Sequence, residues 1–151
     1  MLFKRLNSVV YKRHIPVALS LSLIVGCTNV ASDAARTIHP APPSSLAAET
    51  LFSVAGEFFS VKGYQCDTRR DPKALYCTKE LRDLYIHQTR SVVQVYRGDG
   101  DAHPHTLVAD RWDEGLIPSE FISNEFTNPD VADFCEYLRA QALGSCRLVE
   151  Y

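Results

Sequence analysis

The first 26 residues constrain the rest of the chain most, because they decide the compartment in which it folds. Lys4, Arg5, Lys12 and Arg13 form a basic leader, and no acidic residue precedes Asp33. Ile15 to Gly26 then makes an apolar run of 12 residues. A bilayer span needs about 20 apolar residues, so this run is too short to cross, but it suits the apolar region of a secretory signal. Residues 1–26 are therefore expected to be a signal peptide, removed on export and absent from the fold.

Cys27 follows that run at once. The stretch Leu23-Ile24-Val25-Gly26-Cys27 resembles the bacterial lipobox, in which aliphatic residues and a small residue precede the cysteine that receives the lipid. The resemblance covers residues 1–27 and names no family for the folded part. It implies cleavage before Cys27, acylation of that residue with palmitate among its chains, and a mature lipoprotein held to a bacterial membrane. A single acyl chain binds only marginally, whereas several on one cysteine hold stably. Thr28 stands where inner-membrane lipoproteins of the resembling enterobacterial class carry Asp. The resemblance thus implies an outer-membrane protein facing the periplasm.

The leader carries four of the 16 Lys and Arg and none of the 18 Asp and Glu, which leaves 12 basic against 18 acidic residues, a net charge of −6. An acidic chain offers no electrostatic footprint for nucleic acid and is repelled by an anionic bilayer. Membrane attachment is then expected from the lipid alone. The 125 residues after the leader suffice for one domain and are too few for two well-cored ones.

Besides Cys27 there are four cysteines, Cys66, Cys77, Cys135 and Cys146. An even number in an exported chain reads as a disulfide framework. Of three pairings, the two local ones are expected, Cys66–Cys77 and Cys135–Cys146. The tight C-x-x-C spacing of a structural zinc site is absent from the sequence.

The expected fold is a small α+β domain over residues 46–151. It comprises an N-terminal helix, an antiparallel meander of four to five strands, and a C-terminal helix. Residues 27–45, small, polar and proline-bearing without apolar periodicity, read as the lipidated end and a flexible tether. Extended, Thr28–Ser45 would hold the domain ~50 Å off the bilayer. The first helix is expected from a Ser45 cap to Gly63, with Ala48, Leu51, Phe52, Ala55, Phe58 and Phe59 on one face. Strand-like runs follow at 64–68, 74–79, 84–88, 91–97 and 106–112, and 113–126 reads as irregular. The second helix opens on Asn128-Pro129-Asp130, buries Val131, Phe134, Cys135, Leu138 and Ala142, and is expected to close at Gly144.

Motifs that carry chemistry are sparse. Asp99, Asp101, His103 and His105 form the best candidate metal cluster, but neither an EF-hand loop nor an HExxH helix is present in the sequence. Gly, Asp, His and Pro also make an ordinary exposed loop, so the segment is expected to tolerate substitution. There is no G-x-S-x-G elbow and no serine-lysine motif. Neither a cofactor nor catalysis is expected. Trp112, Phe121, Ile122 and Phe126, set among Asp113, Glu114, Glu120 and Glu125, are the candidate partner surface. The function expected is therefore that of a non-catalytic interaction or accessory module serving another envelope protein. A small-ligand or metal-binding lipoprotein and an envelope hydrolase are the alternatives.

Overall fold

The computed structural model describes residues 27–42, 46–84, 87–99, 104–115 and 125–150. In chain order the elements are β1 (Cys27–Ser32), β2 (Arg36–Pro40), α1 (Ala48–Val61), β3 (Gln65–Asp67) and β4 (Ala74–Leu84). They continue with β5 (His87–Tyr96), β6 (His105–Gly115), α2 (Pro129–Ala140) and β7 (Gly144–Leu148). The described strands form one antiparallel sheet of seven, ordered β3-β4-β5-β6-β2-β7, with β1 also paired to β6. The α+β class and the two helices are as expected. Seven strands replace the four to five, and the first helix is not the N-terminal element, because two strands precede it.

Those two strands lie in the segment expected to be a tether. β1 pairs with the second half of β6, from Cys27 opposite Gly115 to Ser32 opposite Asp110. β2 pairs with the first half of β6 on one side and with β7 on the other. Ile38 is fully buried and Ala31 nearly so. The segment hid its strands because the inward residues of β1 are small or polar, Ala31 and Asn29, so no apolar alternation stands out. Pro40 is compatible with a strand because it sits at the very end of β2, where a missing N–H costs little.

The chain from 74 to 96 is one long hairpin. The expected run 84–88 straddles the β4–β5 connection, with Leu84 paired to His87. The polar stretch Lys79-Glu80-Leu81-Arg82-Asp83 continues β4 through a register shift between Glu80 and Arg82. Such a bulge breaks the period-two pattern from which a strand is read. At the other end of the sheet, β6 runs on to Gly115, three residues into the segment expected to be irregular.

Both helices pack on one face of the sheet. α1 buries Ala48, Leu51, Ala55 and Phe59, and α2 buries Val131, Phe134 and Leu138. They meet Leu75, Cys77, Val93, Val95, Leu107 and Ala109 from the sheet. Phe52 and Phe58 are partly buried against this core. Phe59 and Phe134 lie with ring centroids 5.1 Å apart, and Phe58 contacts both. Large aromatics at this seam account for much of the apolar area removed from water.

The helix ends follow local chemistry. Asn128 caps α2 by accepting the Asp130 N–H at 3.0 Å, with Pro129 next to it. α1 begins later than expected, with Ala47 rather than Ser45 at its cap position and no side-chain cap bond. Leu46 just before it is drawn into the core. Gly63, at φ +90°, closes α1, with Tyr64 N–H bonded to the Phe59 carbonyl and Gly63 N–H to that of Ser60. That double bond pattern is the Schellman motif. α2 ends the same way, but Ala142, at φ +53°, takes the left-handed place, not Gly144. Gly144 instead opens β7 opposite Pro40, where a Cβ would stand 2.6 Å from the His39 carbonyl oxygen.

Both expected disulfides are present. Cys66 and Cys77 are direct cross-strand partners in β3 and β4, with Cα atoms 4.0 Å apart. Cys135 on α2 reaches Cys146 on β7 at a Cα separation of 5.6 Å, so the tail does double back along the helix.

Candidate functional site

Side chains alternate across a strand, so the face opposite the helices carries the other residue of each pair. On β5 these are Arg90, Val92, Gln94 and Tyr96, and on β6 they are Asp110, Trp112 and Glu114. Tyr76 and Thr78 on β4 and Val30 and Ser32 on β1 extend the face to either side. No described helix packs on it. Three aromatic residues, Tyr76, Tyr96 and Trp112, therefore stand on a sheet face among polar and charged neighbours.

Two hydrogen-bonded patches organise this face. In the first, Tyr96 Oη donates to Gln94 Oε1, Gln94 Nε2 donates to Asp110 Oδ2 at 3.1 Å, and Ser32 Oγ donates to Asp110 Oδ1 at 2.6 Å. The chain spans β5, β6 and β1. Partial burial, then the neighbouring Tyr76 and the Asp110 carboxylate, holds the Tyr96 hydroxyl above its ordinary pKa, so it remains a donor. In the second patch, Arg90 donates to Glu114 Oε1 at 2.6 Å while its guanidinium lies 5.6 Å from the Trp112 ring centroid. Trp112 sits between Arg90 on β5 and Val30 on β1. Its indole Nε1 is buried and has no hydrogen-bond partner among the described residues.

The four residues expected to make the partner surface are not brought together. Trp112 is on the open face. Phe126 is on the helix side, packed against the core and lying 5.7 Å from the Arg111 guanidinium. Phe121 and Ile122 lie outside the described residues. The neighbours that do surround Trp112, namely Val30, Arg90 and Glu114, escaped the sequence reading because they converge only through strand register.

The candidate metal loop is separated in another way. Asp99 is exposed, and Asp101 and His103 lie outside the described residues. His105 is a buried strand residue, with Nε2 donating to the Leu46 carbonyl at 2.9 Å and Nδ1 accepting the Gly98 N–H at 2.9 Å. Both ring nitrogens are used within the fold, which leaves neither lone pair for a cation and makes His105 structural. Among the described residues no group of three or more His, Cys, Asp or Glu side chains is arranged to hold a metal ion.

The helix side holds two polar clusters that the sequence did not signal. Under the start of α2, Asn128 Nδ2 donates to Ser91 Oγ at 3.0 Å and Tyr64 Oη at 3.1 Å, and Tyr64 Oη donates to Asp130 Oδ2 at 3.3 Å. The single Tyr64 proton goes to Asp130, so Ser91 donates in its 3.2 Å bond to Tyr64. Lys79 then pairs with Asp130 at 3.3 Å. Ser91, Tyr64 and Asn128 are each at most 4% exposed, and this network joins α1, β5 and α2.

Nearer the end of the sheet, Thr89 Oγ1 donates to Asp113 Oδ1 at 2.8 Å and lies 3.2 Å from His87 Nε2. In a hydrolase relay the imidazole stands between hydroxyl and carboxylate. Here the hydroxyl bonds the carboxylate directly, and Arg111 Nε holds the second carboxylate oxygen at 2.8 Å. The group is arranged as a clamp between β5 and β6. Comparison with known proteins finds no matching family model, no matching curated protein and no matching solved structure.

Proposed function

We propose that this chain is a lipid-anchored accessory protein of the bacterial cell envelope that binds another envelope protein through the open face of its sheet. The observation that carries the reading is the setting of Trp112. Its indole N–H lacks a partner, a guanidinium stacks on its ring, and Tyr76 and Tyr96 share its face. Trp, Tyr and Arg supply most binding hot spots, because they bury large area with few rotors and still offer a hydrogen bond. A partner carbonyl aimed at Nε1 would satisfy a group that is otherwise buried and unpaired. The lipobox-like segment ending at Cys27 supplies the anchor, and the net charge of −6 after the leader argues for a protein partner over nucleic acid.

A photocrosslinking residue placed in living cells at Gln94 or Thr106, on the open face, tests this reading against one placed at Glu136 on the exposed side of α2. The expected outcome is a discrete crosslinked species from the open-face positions alone, lost on Trp112→Ala while the thermal melt of that variant stays close to the parent's. Equal crosslinking from all three positions, or none from any, would refute it. The anchor is tested separately, since Cys27→Ser should abolish acyl labelling.

A further inference from the structure

Strand register places the residue that begins β1 at one extreme end of the sheet. Cys27 pairs with Gly115, Gly115 with His87, and His87 with Leu84. These four residues form a single row across β1, β6, β5 and β4. Strands lie about 4.8 Å apart, so Leu84 is only ~15 Å from Cys27, at the same level along the strands. Pairing begins at Cys27 itself, so no spacer separates that residue from the folded sheet.

We propose that this end of the sheet is a membrane-seating surface, with Leu84 placed in the interfacial layer of the bilayer that holds the Cys27 lipid. The proposal rests on the lipid-anchor reading given above. Acyl chains on Cys27 would fix its end of the row at the bilayer surface, and three properties favour the rest of the row lying down beside it. The row contains no Asp, Glu, Lys or Arg. The next row, Thr28-Glu114-Gln88-Asp83, carries two carboxylates, which an anionic surface keeps in water. Leu84 and Leu81, at the far end of β4, are 53% and 49% exposed in the free domain, and seating would remove them from water. A bilayer is the occupant that reaches both Cys27 and Leu84 at once. Trp112, three rows further along β6, would then stand about 10 Å above the surface, within reach of a membrane-associated partner.

The test uses the full-length lipidated protein in vesicles of phosphatidylethanolamine and phosphatidylglycerol containing lipids brominated near the headgroup. Trp112→Phe removes the only tryptophan, and Leu84→Trp or Asp99→Trp supplies a single reporter at either end of β5. The expected result is blue-shifted emission and at least threefold stronger quenching for L84W than for D99W. In the unsubstituted chain, hydrogen exchange at Asp83 and Leu84 should slow at least threefold on vesicles relative to the unlipidated C27S protein in solution. If the protein sediments with the vesicles but L84W and D99W quench alike and exchange is unchanged, the seating is wrong while the anchor stands. If the protein does not sediment with vesicles, the anchor reading fails and the seating falls with it.

Discussion

The Asp33 carboxylate accepts the backbone N–H of Asn128 at 3.2 Å, joining the turn between β1 and β2 to the cap of α2 across 95 residues of sequence. The same carboxylate accepts the Ala34 N–H at 2.7 Å and Arg36 Nη1 at 3.0 Å. Asp33 is 8% exposed and Asn128 2%, so water does not readily replace these bonds. The N-terminal strands are thus tied to the core by a charged group as well as by strand pairing.

Asp33→Ala should therefore destabilise the domain by about 2–3 kcal/mol, since it removes charge-assisted bonds and leaves the Asn128 N–H buried without a partner. Urea unfolding of the oxidised domain measures this. A change below 0.5 kcal/mol would show that β1 and β2 are not integral to the fold.

His105 and Asp99 should respond oppositely. His105→Ala removes two internal hydrogen bonds from a residue that is 7% exposed, and a loss of about 2–3 kcal/mol is expected. Asp99→Ala, at an exposed position, should stay within about 0.5 kcal/mol. Divalent cations should not shift the melting temperature of either variant relative to the parent.

Two glycine-to-alanine changes should have opposite signs. A Cβ at Gly56 would meet Leu75 Cδ2 at 3.9 Å, an ordinary contact, so Gly56→Ala should stabilise α1 by about 0.5–1 kcal/mol. At Gly144 the Cβ would stand 2.6 Å from backbone, and the resulting shift of β7 against β2 should cost about 2 kcal/mol or more. Chemical denaturation of the two single variants tests both.

Ala142→Gly should raise stability. Alanine at φ +53° carries a strain that glycine lacks, and about 0.5–1 kcal/mol should remain after the greater freedom of glycine in the unfolded chain is counted. The parallel change at the other helix end, Gly63→Ala, should lower stability, because Gly63 already occupies the left-handed position at φ +90°. A difference scan of melting temperatures shows the contrast.

Reducing the oxidised protein at neutral pH should expose the contribution of each crosslink. Cys66→Ser with Cys77→Ser opens a loop of 11 residues' separation and should cost about 2–3 kcal/mol on the chain-entropy account. Purified protein under denaturing, non-reducing conditions should yield no free thiol from Cys66, Cys77, Cys135 or Cys146.

The sequence by itself determined the features whose physics is local. The Asn128-Pro129-Asp130 cap, the apolar stripes of both helices and the pairing of four cysteines into two nearby crosslinks all depend on residues within about a dozen positions of one another. Tertiary structure decided the rest. β1 and β2 exist because β6 and β7 offer them hydrogen-bond partners, and little in the side chains of residues 27–40 announces it apart from Ile38. Ala142 rather than a glycine turns the end of α2 because Gly144 is needed for the close approach to His39. His105 became structural, and Trp112 was divided from Phe126, because neighbouring strand residues face opposite sides of a sheet and only register says which side meets the helices. Periodicity and capping are read within one segment, whereas pairing partners lie up to 95 residues away and leave no mark on the segment that awaits them.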